Sequence, residues 1–417
     1  MLTNLKNSLD IQHVDAYCVP GGIYQNDREV VELVGITCTS FGVGVEFDAH
    51  DRHRFGNQSV RVVAKTGPST RQRFFRLLAA GEAGVVLALI ILCVVFQLLQ
   101  PAFGSGENIR AIFSALSYLG IISVGQIILL VGGEFDLSVG STAGVSAIVA
   151  ADLMAHLSVP VPLAVVAGVV TGAFIGLING IVVVRFKIPA FIGTLGMLFV
   201  GQGVTQVITN GQPIYPLPAV VSDIGQATPI FGLGWSLLFF VVVAILGDIF
   251  LRRTVPGRTM YAVGGNPVVA RLAGVRVDRY KMGGFILSGT LAAIAGIFVM
   301  GDLGAGSTSI GQGWELLVVA GVVVGGVSLF GGVGSVLGGA IGMLLLQVVQ
   351  SGLVVVGISP NWQTIAVGAI MILAVGLDVW RRRLPDIEPA DAPTAETSPL
   401  PGNIPPEVKD PIGAADG

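Results

Sequence analysis

"GRTMYAVGGNPVVARLAGVRVDRYK", Gly257 to Lys281, stands between two long apolar runs. A basic, glycine-punctuated stretch with a small helix signal in such surroundings makes sense only in the frame that the flanking runs set. The 417 residues are 53% hydrophobic and 12% charged, with a mean hydropathy of +0.80 and 59 glycines. That profile belongs to a polytopic membrane protein.

A helix needs about 20 apolar residues to cross roughly 30 Å of hydrocarbon. Ten windows approach this: residues 84–100, 112–132, 137–156, 162–184, 190–208, 235–251, 282–300, 316–330, 333–356 and 363–380, with the eighth and ninth open to being half-helices around Gly331 and Gly332. The expected fold is therefore an all-α, polytopic membrane helical bundle of about ten transmembrane helices. Fifteen Lys and Arg residues fall in one set of loops and ends: Arg71, Arg73, Arg76, Arg185, Lys187, seven between Arg252 and Lys281, and Arg381 to Arg383. The alternate loops hold only Arg110. The positive-inside rule then makes both termini and the quoted stretch cytoplasmic.

Three regions follow: an N-terminal cytoplasmic extension over 1–70, a transmembrane domain over 71–383 with a cytoplasmic loop at 252–281, and a tail over 384–417. Residues 1–65 hold His13, His50 and His53, the cysteines Cys18 and Cys38, and a weakly alternating run near "EVVELVGITC". His50 and His53 make an incomplete metal pair, so no metal is expected. Together with Cys93 the cysteines imply neither a disulfide framework nor a zinc site. No apolar segment follows a basic start, so no signal peptide is read here. A start of translation near Val60 to Val63, with an over-extended frame upstream, is an alternative that mass spectrometry of the native N-terminus decides. The tail, rich in Pro, Ala and acids, is expected to be disordered.

Ion-driven pumps keep ionisable groups at mid-bilayer. Here Glu82, Asp248, Glu315 and Asp378 all sit at window ends, where pairing such as Asp248 with Arg252 explains them. None of the five lysines follows a glycine, so G-x-x-x-x-G-K-[ST] is absent. If ATP is used, a separate subunit binds it and needs a cytoplasmic handle. In the quoted stretch Asn266 is a good N-cap, Pro267 suits the first helical position, and Gly274 suits the left-handed position that ends a helix. Val268 and Leu272 share a face with Arg271 off it. A helix this short must dock on something. By spacing alone, docking on a protein and resting on lipid stand about level.

Gly168, Gly172, Gly176 and Gly180 recur every four residues, as do Gly334, Gly338 and Gly342, and such repeats let helix backbones approach closely. "VGGEFDLSVGS" (131–141) is partly echoed by "VGGVSLFGGVGS" (324–335), which suits an internal repeat, with chance as the competitor in a chain so rich in glycine.

Five blocks in order, "GGEFDLSVGS" (132–141), "IPAFIGTLG" (188–196), "TNGQPI" (209–214), "GRTMYAVGGNPVVARLAGV" (257–275) and "GWELLVVAGVVVGGVSLFGGVGS" (313–335), resemble the permease subunits of bacterial ABC sugar importers of the ribose, xylose and galactose branch. The resemblance covers about 75–383. It implies a multi-pass protein of the bacterial cytoplasmic (inner) membrane that is not itself an enzyme. Its partners would be a second copy of itself, a periplasmic or lipid-anchored sugar-binding protein and a cytoplasmic ATPase that holds ATP and magnesium, with no cofactor on this chain and no nucleic acid. It implies an ATPase-coupling helix at Asn266, Pro267, Ala270, Arg271, Leu272 and Gly274, and so favours docking over lipid. Close ribose permeases read Gly-Gly-Ile-Asp-Leu-Ser where this chain has Glu134 and Phe135 before Asp136, which weakens transfer of substrate identity. Asp136, with Ser138 and Gly140, is read as structural: an acid favourable to the dipole of the helix that follows.

Uncharged polar residues in the windows, namely Gln126, Asn179, Thr194, Gln202, Thr205, Gln206 and Asn210, are candidates for the translocation pathway of a neutral sugar. For any one of them, hydrogen bonding between membrane helices is the stronger reading. A secondary transporter of a small polar solute driven by an ion gradient is the competing reading, though the spans offer no mid-membrane acid. An intramembrane enzyme would want H-E-x-x-H or a Ser and His pair, whereas His156 lies at a window end with no partner by spacing.

Overall fold

A computed structural model describes residues 24–26, 29–31, 81–229, 232, 234–359 and scattered positions between 361 and 376. The chain divides into two compact units, 1–84 and 85–417. In the first, strands β1 (Tyr24–Asn26) and β2 (Glu29–Val31) pair antiparallel with Asn26 opposite Glu29. The rest of the N-terminal extension, with its histidines and two cysteines, and the acidic tail lie outside the described residues.

The second unit is helical. α1 (Gly81–Leu99) leads through a 3-10 turn, Pro101–Gly104, to α2 (Gly106–Val131), α3 (Val139–Ala155) and α4 (Val161–Gly180), which a π turn extends to Arg185. Then come α5 (Ala190–Thr209), α6 (Ala219–Gln226), α7 (Trp235–Arg253), α8 (Val255–Gly265), α9 (Pro267–Leu272), α10 (Val277–Leu303), α11 (Trp314–Val324) and α12 (Val336–Val355).

Among the described residues, six helices are long and apolar enough to cross a membrane: α2, α4 with its π turn, α5, α7, α10 and α12. Three of the expected windows hold shorter apolar helices instead, at Ala83–Leu99, α3 and α11. The eighth window departs most. Helix α11 stops at Val324 after 11 residues, because Gly325 and Gly326 follow. At 1.5 Å per residue it rises about 16 Å, half of a hydrocarbon core. In the tenth window the described positions are helical, and the others lie outside the described residues.

Helix α2 is the central column, buried almost without break from Leu116 to Val131. Helix α10 lies along it and along α3 and α4. The first glycine ladder explains how. Gly168, Gly172, Gly176 and Gly180 are all buried. A methyl at Gly172 would sit 2.5 Å from the Gly289 carbonyl oxygen, and one at Gly176 would strike the Phe285 carbonyl. Backbone thus meets backbone, which is how membrane helices associate where lipid is as apolar as the side chains. The outer face of α4, with Leu163, Val166, Val170 and Phe174, is exposed.

The second ladder is only partly helical. Gly334 precedes α12, whose cap is Ser335, accepting from Gly338 N at 2.9 Å. Gly338 and Gly342 do pack on α11, against Gly325 and Gly321. Asp248 and Arg252 pair at 2.9 Å as expected. His156 is not without a partner: its Nδ1 lies 2.7 Å from Asp152 Oδ1, one turn earlier on α3.

Candidate functional site

The two echoing stretches fold the same way. After α2, Gly132 N donates to Ile128 O at 3.2 Å, Gly133 N to Leu130 O at 2.8 Å and Glu134 N to Leu129 O at 3.2 Å. After α11, Gly325 N donates to Gly321 O at 3.0 Å, Gly326 N to Val323 O at 2.9 Å and Val327 N to Val322 O at 3.2 Å. The second glycine of each pair is left-handed, with φ of +80° at Gly133 and +89° at Gly326, a conformation that side chains resist. The two turns also touch, through a hydrogen bond from Gly332 N to Val131 O at 3.0 Å.

The loop 252–281 rests on this junction. Thr254 caps α8 by accepting from Gly257 N at 3.1 Å. At its far end a methyl on Gly264 would run into the Val131 carbonyl and lie 2.7 Å from Gly332 N. Tyr261 donates to Gly334 O at 2.7 Å, and burial pushes its phenol above the ordinary range. Reading the sequence missed α8 altogether, since three glycines and a proline in 11 residues argue against a helix.

Helix α9 follows. Asn266 Oδ1 accepts from Val268 N at 3.0 Å and Val269 N at 3.1 Å, Pro267 opens the helix, and Gly274 is left-handed at φ +83°. Ala270 is buried against Val263 and Val277. The opposite face is open: Val268, Val269 and Leu272 are 64%, 58% and 84% exposed. Arg271 leaves this face to pair with Asp278 at 2.9 Å, both side chains exposed.

The polar candidates separate into two groups. Gln126, Asn179 and Thr194 join Asp136 and Ser138 in a fully buried network at the N-terminus of α3. Asp136 Oδ1 accepts from Ser138 N at 2.8 Å, Ser138 Oγ at 2.7 Å and Asn179 Nδ2 at 3.4 Å. Asn179 Nδ2 also donates to Ser138 Oγ at 2.8 Å, and Leu137 N donates to Thr194 Oγ1 at 3.1 Å. Gln126 clamps the Asp136 peptide, its Oε1 accepting from Asp136 N at 3.1 Å and its Nε2 donating to Asp136 O at 3.3 Å. Burial pushes the Asp136 carboxyl above the usual carboxylate range, against the pull of Ser138, Asn179 and Ser288. Gly140 packs on the Gly311 backbone and Glu315. Glu134, the acid outside the family pattern, forms a partly buried ion pair with Lys281 of α10 at 2.6 Å.

The second group faces open space. Gln202, Thr205 and Gln206, on one side of α5, line a cavity of about 570 Å³ with Phe199, Gly203, Thr308, Gln312 and Gly313. Thr308 and Gln312 were missed because the loop 304–313 falls between apolar windows. Asn210 belongs to neither group; it is the exposed, left-handed C-cap of α5. A smaller polar cavity, about 220 Å³, gathers Arg110, Tyr118, Gln226, Ser236 and Asp302.

A family described as the permease component of the branched-chain amino acid transport system matches residues 108–375, which run from the third residue of α2 to beyond the end of α12. The chain belongs to this permease family. The ribose import permease protein of Escherichia coli K12 is 34% identical over 313 residues, covering 74% of this permease and 96% of its own length. The autoinducer 2 import system permease protein of Klebsiella pneumoniae is 36% identical over 304 residues, covering 72% and 87%. The xylose transport system permease protein of Escherichia coli K12 is 32% identical over 361 residues, covering 72% and 92%. This permease is accordingly a membrane protein with the ribose and xylose importer permeases among its relatives, as the five blocks led one to expect.

Proposed function

We propose that this permease is the membrane subunit of an ATP-driven, binding-protein-dependent importer of a neutral sugar in a bacterial inner membrane, acting as a homodimer with a separate ATPase. The observation that carries the reading is the exposed apolar face of α9. Three large apolar side chains on a six-residue, well-capped helix form a rigid knob, and α8 behind it abuts both glycine turns. A partner that shifts α9 pushes through α8 on the end of α2 and on the segment 331–334 that leads into α12. ATP and magnesium, on the partner ATPase, supply that push.

The cavity and the relatives support this substrate class. The cavity beside α5 presents amides and hydroxyls without charge, and the relatives are named for ribose, xylose and autoinducer 2. Uncharged donors and acceptors suit a hydroxyl-rich solute and would leave a carboxylate or ammonium unpaired.

The test is co-purification with the products of neighbouring genes, repeated with Leu272→Asp. Leu272 is 84% exposed, so the variant is expected to fold. Capture of an ATPase by the wild type and its loss from the variant is the expected result. An ATPase retained by Leu272→Asp, or purified permease that transports alone on an ion gradient, overturns the proposal.

A further inference from the structure

We propose that the junction of α2, α3, α4, α5 and α10 is a proton-binding site, with Asp136 held there as a neutral carboxylic acid while the junction is closed. The argument starts from an asymmetry. The three hydrogen bonds made to the Asp136 side chain converge on Oδ1, while the Ser288 hydroxyl lies near enough to the carboxyl to influence it. Oδ2 is buried and has no hydrogen-bond partner. An ionised carboxylate spreads its charge over both oxygens and draws donors to each. A protonated one has a carbonyl oxygen that accepts and a hydroxyl that needs an acceptor.

Such acceptors are at hand. Asn179 Oδ1 and Ser288 Oγ are buried and likewise without a partner, and Ser288 of α10 lies against the carboxyl. One proton on Oδ2 gives the carboxyl a donor for one of these acceptors, and the Ser288 hydroxyl, a donor as well as an acceptor, can serve the other oxygen. No cation does this work instead. Among the described residues no ion pair includes Asp136. The charged groups around it are otherwise engaged or wrongly signed. Glu134 and Lys281 pair with each other, Glu315 of α11 adds a further acid beside Gly140, and Arg185 beyond α4 is exposed. Helices α2 and α5 bring only Gln126 and Thr194 to the site. An isolated carboxylate so enclosed takes a proton rather than bear the cost of burial.

The consequence is a proton held only in the closed arrangement. Gln126, Asp136, Ser138, Asn179, Thr194 and Ser288 are 0–1% exposed, so the carboxyl meets water only if these helices part. Once wetted it ionises at neutral pH, and closure takes the proton back. No net proton transport is implied.

The test is infrared spectroscopy of the full chain at neutral pH, comparing wild type with Asp136→Asn. A carbonyl band of a protonated carboxylic acid is expected in the wild type and is expected to weaken in the variant. If the variant does not fold, ¹³C-aspartate labelling of the wild type should shift the same band. Absence of any such band, or a band that neither the variant nor the label moves, overturns the proposal. Thermal melting supplies an independent reading. The folded chain holds its proton above the ordinary aspartate range, about 3.9, so this contribution to stability is full below that range and is lost as pH rises through the folded value. Wild type should therefore lose more of its melting temperature with rising pH than Asp136→Asn does. A wild type that responds to sodium or potassium at constant ionic strength, and to pH no more than the variant does, would place a metal cation on Oδ2 and overturn the proton.

Discussion

The turns after α2 and α11 end their helices with the same three hydrogen-bond offsets and the same left-handed glycine, yet they are held in place by different means. The first is fixed from within: Gln126, Ser138, Asn179 and Thr194 grip residues 136–138 with side chains. The second is fixed from outside, by the Tyr261 hydroxyl on Gly334 and by the backbone of α8 against Gly331 and Gly332. The same backbone device serves two ends, one copy as a polar junction in the core and the other as the seat of the loop 252–281.

The sharpest challenge to that contrast is Gly264→Val, because α8 touches both turns there. The side chain would collide with the Val131 carbonyl, and overpacking of this kind costs about 1–3 kcal/mol or more. We expect the largest loss of melting temperature in detergent together with loss of uptake. A variant as stable as wild type would mean that α8 is free of the turns. Next comes Asn179→Ala, which acts on the first turn alone. It removes the donor to Ser138 Oγ, worth about 1–2 kcal/mol when a buried partner is left unsatisfied. Reduced transport at unchanged stability would instead return Asn179 to the pathway. Tyr261→Phe is the mildest and acts on the second turn alone, removing one hydrogen bond to Gly334 for about 1 kcal/mol. Its effect should fall on the coupling of ATP hydrolysis to uptake more than on melting, and the reverse pattern would make the bond merely structural.

What could be read in advance was local. Asn266, Pro267 and Gly274 announced α9 because a cap acts within three or four residues of itself. The ladder on α4 was legible because a four-residue spacing of glycines has a single geometric meaning on a helix. Asp136 was placed correctly at the N-terminus of α3, but its junction was not visible, since Asn179 and Thr194 lie 43 and 57 residues from the groups they bind. Helix α8 was hidden for the opposite reason: its glycines lower helix propensity while serving contacts with distant backbone. The ten windows outnumber the six long apolar helices among the described residues because hydropathy measures apolar length and is blind to where a glycine pair stops a helix, as at Val324. His156 and Asp152 are four residues apart, a spacing that could have been noticed.

The shortness of α11 has one more implication. Between Leu303 and Trp314 the chain is not helical, and its peptide groups are met by scattered bonds such as Ile310 N to Ser307 O at 3.2 Å and Gln312 Nε2 to Thr308 O at 2.9 Å. Irregular backbone survives at such depth only inside protein or beside water. On the proposed reading, in which this segment lies within the bilayer, the cavity that Thr308 and Gln312 share with α5 serves as a wet vestibule. A solute entering it exchanges one hydration shell for another of similar strength, which is the condition for a carrier to let go of its cargo.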